Sequence, residues 1–319
     1  MMRDLRAAAV QFESAAGDKE ANFATLERFL PEATRRGVEI LLSPECGLTG
    51  YWFLRRLSVP QLAALAEPVP EGPSCRRLLG LAEKHRMTIG AGLLEAGGAE
   101  VFHNTYLVAM PDGRIVSHRK IHAFEHPAIE PGREITVFET PHGCRAALLI
   151  CYDNNIVENV RIAALRGAEV LLAPHQTGGC RTSNPHLMGF IERRVWDERH
   201  ARPEAIDREL RGDKGRGWLM RWLPSRAHDN ALFLVFANGI GVDDDEIRTG
   251  NSMILDPYGR VLAETSCAGD DMVTALLDAS LLEHATGRLW MQARRPELYG
   301  EIAVPTGRER DARQLKRRE

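Results

Sequence analysis

Residues 146–174 read AALLICYDNNIVENVRIAALRGAEVLLAP, and the alternation inside this stretch decides the fold class. Ala146 to Ile150 is an unbroken apolar run that stops at Cys151, which reads as a buried strand ending abruptly. A helix is expected from about Ile156 to Arg166, stopped by Gly167, and a second buried strand follows at Val170–Ala173. Strand, helix and strand in succession are the mark of an α/β protein.

The same rhythm extends in both directions. Toward the N-terminus, Leu5–Phe12 reads as a strand, and Phe23, Leu26, Leu30 and Ala33 fall on one helical face that closes at Gly37. Strand Glu39–Leu42, helix Ser74–Lys84 and strands Thr88–Leu94 and Thr105–Met110 come next. Pro111-Asp112-Gly113 turns the chain into Arg114–Lys120. Toward the C-terminus, strands are expected at Ala231–Ala237, Ser252–Leu255, Val261–Glu264 and Met272–Leu277, with the turn Asp256-Pro257-Tyr258-Gly259 between the second and third. Residues 175–225 interrupt the pattern with Arg, Gly and polar residues. A structureless loop of that length is improbable, so part of it is expected to be helical, over Met188–His200. The charged run from Gly307 onward is expected to fray.

Composition narrows the function. The 319 residues are 44% hydrophobic and 27% charged with a formal charge of −3, an ordinary globular balance that points away from nucleic acid and from a basic membrane surface. Length alone would allow two domains or one large α/β domain. No stretch approaches eighteen uninterrupted apolar residues, and the N-terminus lacks the pattern of a signal peptide. Six scattered cysteines without a Cys-x-x-Cys pair fit reduced thiols, so a cytoplasmic location is expected.

Three chemistry-bearing residues each stand just past the carboxyl end of an expected strand, the edge at which α/β sheets assemble their sites. Cys151 should occupy a sharp turn that exposes its sulfur and aims backbone N–H groups at a developing oxyanion. Glu45, in Ser43-Pro44-Glu45-Cys46-Gly47, suits a general base, and Lys120, in Arg119-Lys120-Ile121-His122, suits a fixed cation. Singly, these residues read as well as a buried thiol, a loop acid and a surface lysine.

Together they change the reading. LLSPECGLTGY, HRKIHAF and the cysteine segment resemble, in order, the glutamate, lysine and cysteine motifs of the carbon–nitrogen hydrolase superfamily, the nitrilase-like enzymes. FEHPAIEPG, RAHDNALFLVFANGIG, GNSMILDPYGRVLAE and RRPELY add further similarity along nearly the whole chain. The resemblance implies a four-layer α-β-β-α sandwich of two mixed sheets and a catalytic set of Glu45, Lys120 and Cys151. A second active-site glutamate is also implied, with Glu125 as candidate and Glu130 as competitor. Tyr152, through its backbone N–H, and His175 and Gln176, after the next strand, are expected to position substrate or stabilise the oxyanion. No cofactor or metal is needed for this chemistry. A hydrolase domain over 1–285 is expected, with an insertion at about 175–225. An extension over 286–319 would reach across the interface of a homodimer.

The expected substrate is a small amide or N-carbamoyl compound. Tyr152-Asp153 resembles the amidase and N-carbamoyl amide hydrolase branch, whereas Asn154 and Asn155 replace the arginines with which some carbamoyl-amino-acid hydrolases grip a carboxylate. Arg181 or Arg193 of the insertion could substitute for them. Rival readings are a nitrilase, a catalytically silent scaffold relative, and a metal-dependent hydrolase built on His118, His122 and His126.

Overall fold

In the first strand, β1 (Leu5–Gln11), alternate residues serve two different interfaces. Leu5, Ala7 and Ala9 pack in a core shared with a second sheet, whereas Ala8 and Val10 pack against helices. A strand covered on both faces must be apolar at every position, which is why the sequence shows runs and not alternation. The computed structural model describes residues 2–182, 184 and 186–316. They form two six-stranded sheets face to face with helices outside, the expected α-β-β-α sandwich.

In the first sheet, β1, β2 (Ile40–Leu42) and β3 (Thr88–Gly98) run parallel. Antiparallel β4 (Val101–Ala109) and β5 (Ile115–Arg119) extend one side, and β14 (Asp271–Leu277) pairs with β1 on the other. The second sheet repeats the plan. Its parallel trio is β7 (Arg145–Leu148), β8 (Val170–His175) and β9 (Phe233–Asn238), extended by β12 (Met253–Leu255) and β13 (Val261–Glu264), with β6 (Thr136–Glu139) beside β7. A small antiparallel ribbon, β10 (Ile240–Asp243) and β11 (Glu246–Thr249), stands apart from both.

Helices α1 (Lys19–Arg35) and α3 (Pro73–His85) cover the first sheet, with the short α2 (Val59–Leu65) between them in sequence. Asp18 caps α1 by accepting from Ala21 N at 2.9 Å, and Phe23, Leu26, Leu30 and Ala33 form its buried stripe as expected. Burying each of the three large side chains is worth about 1.5–3 kcal/mol. Helix α4 (Val157–Leu165) covers the second sheet through Val160, Ala163 and Ala164.

The insertion differs from expectation. The helix anticipated over Met188–His200 is confined to α5 (Arg193–Asp197), and α6 (Pro203–Arg211), α7 (Arg216–Leu219) and α8 (Leu223–His228) follow. Pro203 and Pro224 each sit at the first or second position of a helix, so the prolines divide the segment into short helices. Trp196, Ile206 and Leu210 make a separate apolar cluster with Ile240 and Ile247 of the ribbon, while Leu219, Leu223 and Ala227 join the outer layer of the second sheet. The ribbon and β6 were not anticipated. Ribbon residues VDDDEIRT carry no apolar run, and all four β6 residues retain some solvent exposure. The tail expected to fray turns back toward the body. Ala312 is buried and Arg313 bonds Glu130 Oε1 at 2.8 Å, while residues 317–319 lie outside those described.

Candidate active site

Strand β2 ends two residues before Pro44-Glu45, and the loop that follows lies on β3. A Cβ added to Gly92 would meet Cys46 N at 2.3 Å, so only glycine lets the loop approach this closely. Tyr106 fixes the loop entrance by donating to Ser43 O at 2.6 Å, and Gln176 Nε2 donates to Glu45 O at 2.9 Å. Glu45 is thereby fully buried.

Lys120, the residue after β5, is also buried, and its ammonium group lies between two carboxylates. Nζ is 2.7 Å from Glu45 Oε1 and 2.5 Å from Glu125 Oε1. Asn104 Nδ2 donates to the same two oxygens at 2.7 and 2.9 Å, and Glu125 Oε2 accepts from Phe124 N. The rings of Phe124 and Tyr51 lie 4.4 and 5.3 Å from Nζ. Of the two candidate glutamates, Glu125 therefore joins the cluster, and Glu130 faces Arg313 outside it.

One cation is shared by two buried acids. Burial first, and then the charge of nearby Cys151, push the Glu45 carboxyl well above the ordinary range against the pull of Lys120. Burial would strip the Lys120 proton, but Glu125 and Glu45 outweigh it and hold the ammonium charged. Glu45 Oε2, the oxygen that Lys120 does not use, is buried without a hydrogen-bond partner among the described residues.

Cys151, three residues after the last residue of β7, starts a tight turn, Cys151–Asn155. Its φ of +48° is a left-handed conformation that a non-glycine residue adopts at a cost of order 1–3 kcal/mol. Asp153 holds the turn. Its carboxylate accepts from Ile150 N (3.2 Å), Ile121 N (3.1 Å), His122 N (2.8 Å) and His122 Nδ1 (3.0 Å). His118 Nε2 lies 3.4 Å away. Despite complete burial, these partners hold the Asp153 carboxyl well below its usual range. Asp153 thus joins the Cys151 turn to the residues just after Lys120. His118 and His122 meet at Asp153 from a strand end and a turn, not from one helix as a metal pair would. Arg226 of α8 closes the other end of the turn, donating to Asn154 O at 2.7 Å and Asn155 O at 2.9 Å.

The sulfur borders a cavity of about 300 Å³. Tyr152 and Gln176 line it, together with Trp52, Phe124, Trp218 and Trp222. His175 does not. It is fully buried, wedged against Phe236 at 4.6 Å, with Nε2 3.1 Å from Asn154 Nδ2 and Nδ1 2.9 Å from Thr177 Oγ1. Burial lowers its pKa to about 3, so the ring is a neutral brace behind the wall. Of the two arginines of the insertion, Arg181 reaches the wall and Arg193 pairs with Asp197 on the surface. The ribbon contributes Glu246 and Arg248, which sequence reasoning missed; the acid–Ile–base alternation of Glu246-Ile247-Arg248 is a strand signal hidden by its charge. Asn104 was also missed, since a lone asparagine inside a strand gives no signal.

Residues 6–286 match the family model for carbon-nitrogen hydrolase, and the chain belongs to that family. Within it, the similarities include amidases of the nitrilase superfamily, and the chain is an amidase-like enzyme for C–N bonds other than peptide bonds. A citrullinase from Francisella tularensis is 28% identical, over 94% of this chain and 99% of its own. An (R)-stereoselective amidase from a Pseudomonas species is 29% identical over 85% of each. Among solved structures, a mutant Nesterenkonia amidase in complex with butyramide superposes with a TM-score of 0.66 at 25% identity, covering 92% of this chain and 95% of that one. Yeast Nit3 superposes with a TM-score of 0.67 at 22% identity, covering 91% and 94%, a likeness of fold. Among the described residues, no helix is long and apolar enough to cross a membrane.

Proposed function

We propose that the chain hydrolyses a small amide or N-carbamoyl compound through a thioester on Cys151. The observation that carries this reading is a single buried ammonium, shared by two carboxylates, beside a left-handed cysteine that opens onto a cavity. Glu45 Oε2, without a hydrogen-bond partner among the described residues, takes the thiol proton, and the thiolate attacks the substrate carbonyl carbon. Negative charge gathers on the carbonyl oxygen, stabilised by the Lys120 ammonium and the Tyr152 backbone N–H; one such donor is worth about 10²–10³ in rate. Collapse of the adduct breaks the C–N bond, and Glu45 returns its proton to the departing ammonia or amine. Water, deprotonated by the same carboxylate, then attacks the thioester and restores the thiol. Glu125 and Asn104 act by fixing Lys120 and Glu45.

Mass spectrometry of acid-quenched enzyme turning over a primary amide should show an acyl adduct on the peptide that contains Cys151. Cys151→Ala should show neither adduct nor turnover, and a Cys151→Ala protein that still releases ammonia at the native rate would overturn the proposal. Ammonia release on matched amide and nitrile panels should favour the amides.

Pairing of two copies is proposed across α4 and the C-terminal extension. Val157, Ile162 and Leu165 are 54%, 39% and 46% exposed, and Trp290 and Ile302 border the same groove. A contiguous apolar patch of this kind marks an interaction surface.

A further inference from the structure

The cavity has a polar end that the thioester chemistry leaves unused. Glu246 and Arg248 are two apart on β11 and therefore face the same way, toward the cavity, while Ile247 between them packs with Trp196. Arg248 is 4% exposed, and two of its three nitrogens are committed: Nε to Asp243 Oδ2 at 2.7 Å and Nη1 to Gly178 O at 2.8 Å. Nη2 lies 3.0 Å from Glu246 Oε2 but makes no hydrogen bond among the described residues. Nη2 is thus held by that ion pair alone, without a hydrogen bond among the described residues, and it belongs to a side chain in the wall of the cavity. Tyr51 links this end to the catalytic cluster, since its ring is 5.3 Å from Lys120 Nζ and 5.3 Å from the Arg248 guanidinium carbon.

A carboxylate is the acceptor that best suits a guanidinium. An anion arriving alone, however, would also meet Glu246, and like charges brought together in a buried site repel strongly. A head group bearing an ammonium beside its carboxylate removes the conflict, with the ammonium on Glu246 and the carboxylate on Nη2. We propose that Arg248 and Glu246 form a subsite for the α-amino-acid head of the substrate, so that the bond cleaved at Cys151 lies at the far end of a free amino acid's side chain. This assignment rests on the thioester reading above and narrows its substrate class.

The test uses the full-length Cys151→Ala protein and four ligands of one chain length, with binding measured by calorimetry. They are an amino acid with a terminal side-chain amide, its des-amino acid, its des-carboxy amine, and the plain primary amide. The zwitterion should bind about tenfold or more tighter than either singly deleted ligand, as charge-assisted bonds allow. Adding Arg248→Lys, which keeps the charge and removes the fork, should shrink the advantage given by the carboxylate to about threefold or less. Four affinities within about twofold of one another, or a des-amino acid that binds best, would overturn the subsite. The ligand series on native Arg248 decides the matter even where the lysine variant folds poorly. Loss of hydrolysis by the native chain with this ranking intact would instead strike the thioester reaction.

Discussion

Replacing Glu45 with glutamine separates its proton chemistry from its shape. The glutamine oxygen can still accept from Lys120 and Asn104, which bond Oε1 at 2.7 Å each. The amide nitrogen takes the place of Oε2, which has no hydrogen-bond partner among the described residues, so the new donor is left unsatisfied at about 1–3 kcal/mol. Against this, the variant removes a carboxyl that burial and the Cys151 charge push well above its ordinary value of 4.5. A group whose folded pKa is raised contributes stability that is complete below its unfolded value and lost as pH rises toward the folded one. The native protein should therefore lose up to about 1.4 kcal/mol per pH unit from this group above pH 4.5, whereas Glu45→Gln should not. Urea unfolding at several values from pH 4 upward would show the variant gaining on the native chain as pH rises past 4.5. Ammonia release at pH 7 should fall about 10²–10⁴-fold, the usual worth of a general base. Parallel stability curves, or turnover within a few fold of native, would refute the assignment of the proton to this carboxyl.

Asp153→Asn should lower stability by about 2–4 kcal/mol at pH 7, because several donors lose a charged acceptor. Its folded pKa is depressed, so the difference from native should be full above pH 3.8 and shrink as pH falls below it, a trend readable by denaturation at pH 3–6. Leu165→Asp, on the exposed apolar face of α4, should shift sedimentation from paired to single chains with little change in folding of the subunit.

The α/β class was readable because strands buried on both faces have to be written as apolar runs, and two helix stops are punctuated, at Gly37 and Gly167 with φ of +68° and +86°; the four-layer sandwich was implied by the family resemblance alone. The meeting of Glu45 and Lys120 could be expected because strand ends bring remote residues to one edge. The choice between Glu125 and Glu130 was not readable: both are loop acids in the sequence, and only the return of the chain over Asn104 separates them. His175 shared the strand-end signal and was misplaced, since such a signal cannot say which side of the wall a ring occupies. The Arg248 subsite was invisible because its strand alternates charge with apolar packing, a pattern that reads as surface until the insertion covers it.

That insertion has a consequence for how specificity can change. Trp218 and Trp222 face the cavity and pack on the second sheet beside Leu219 and Leu223, whereas the stretch before them is held by a small nucleus of Trp196, Ile206 and Leu210 against Ile240 and Ile247 of the ribbon. The two sheets carry the acid, the ammonium and the thiol without depending on that nucleus for their inner packing. Selection can therefore vary the stretch held by that nucleus, while the reacting groups beneath keep their places.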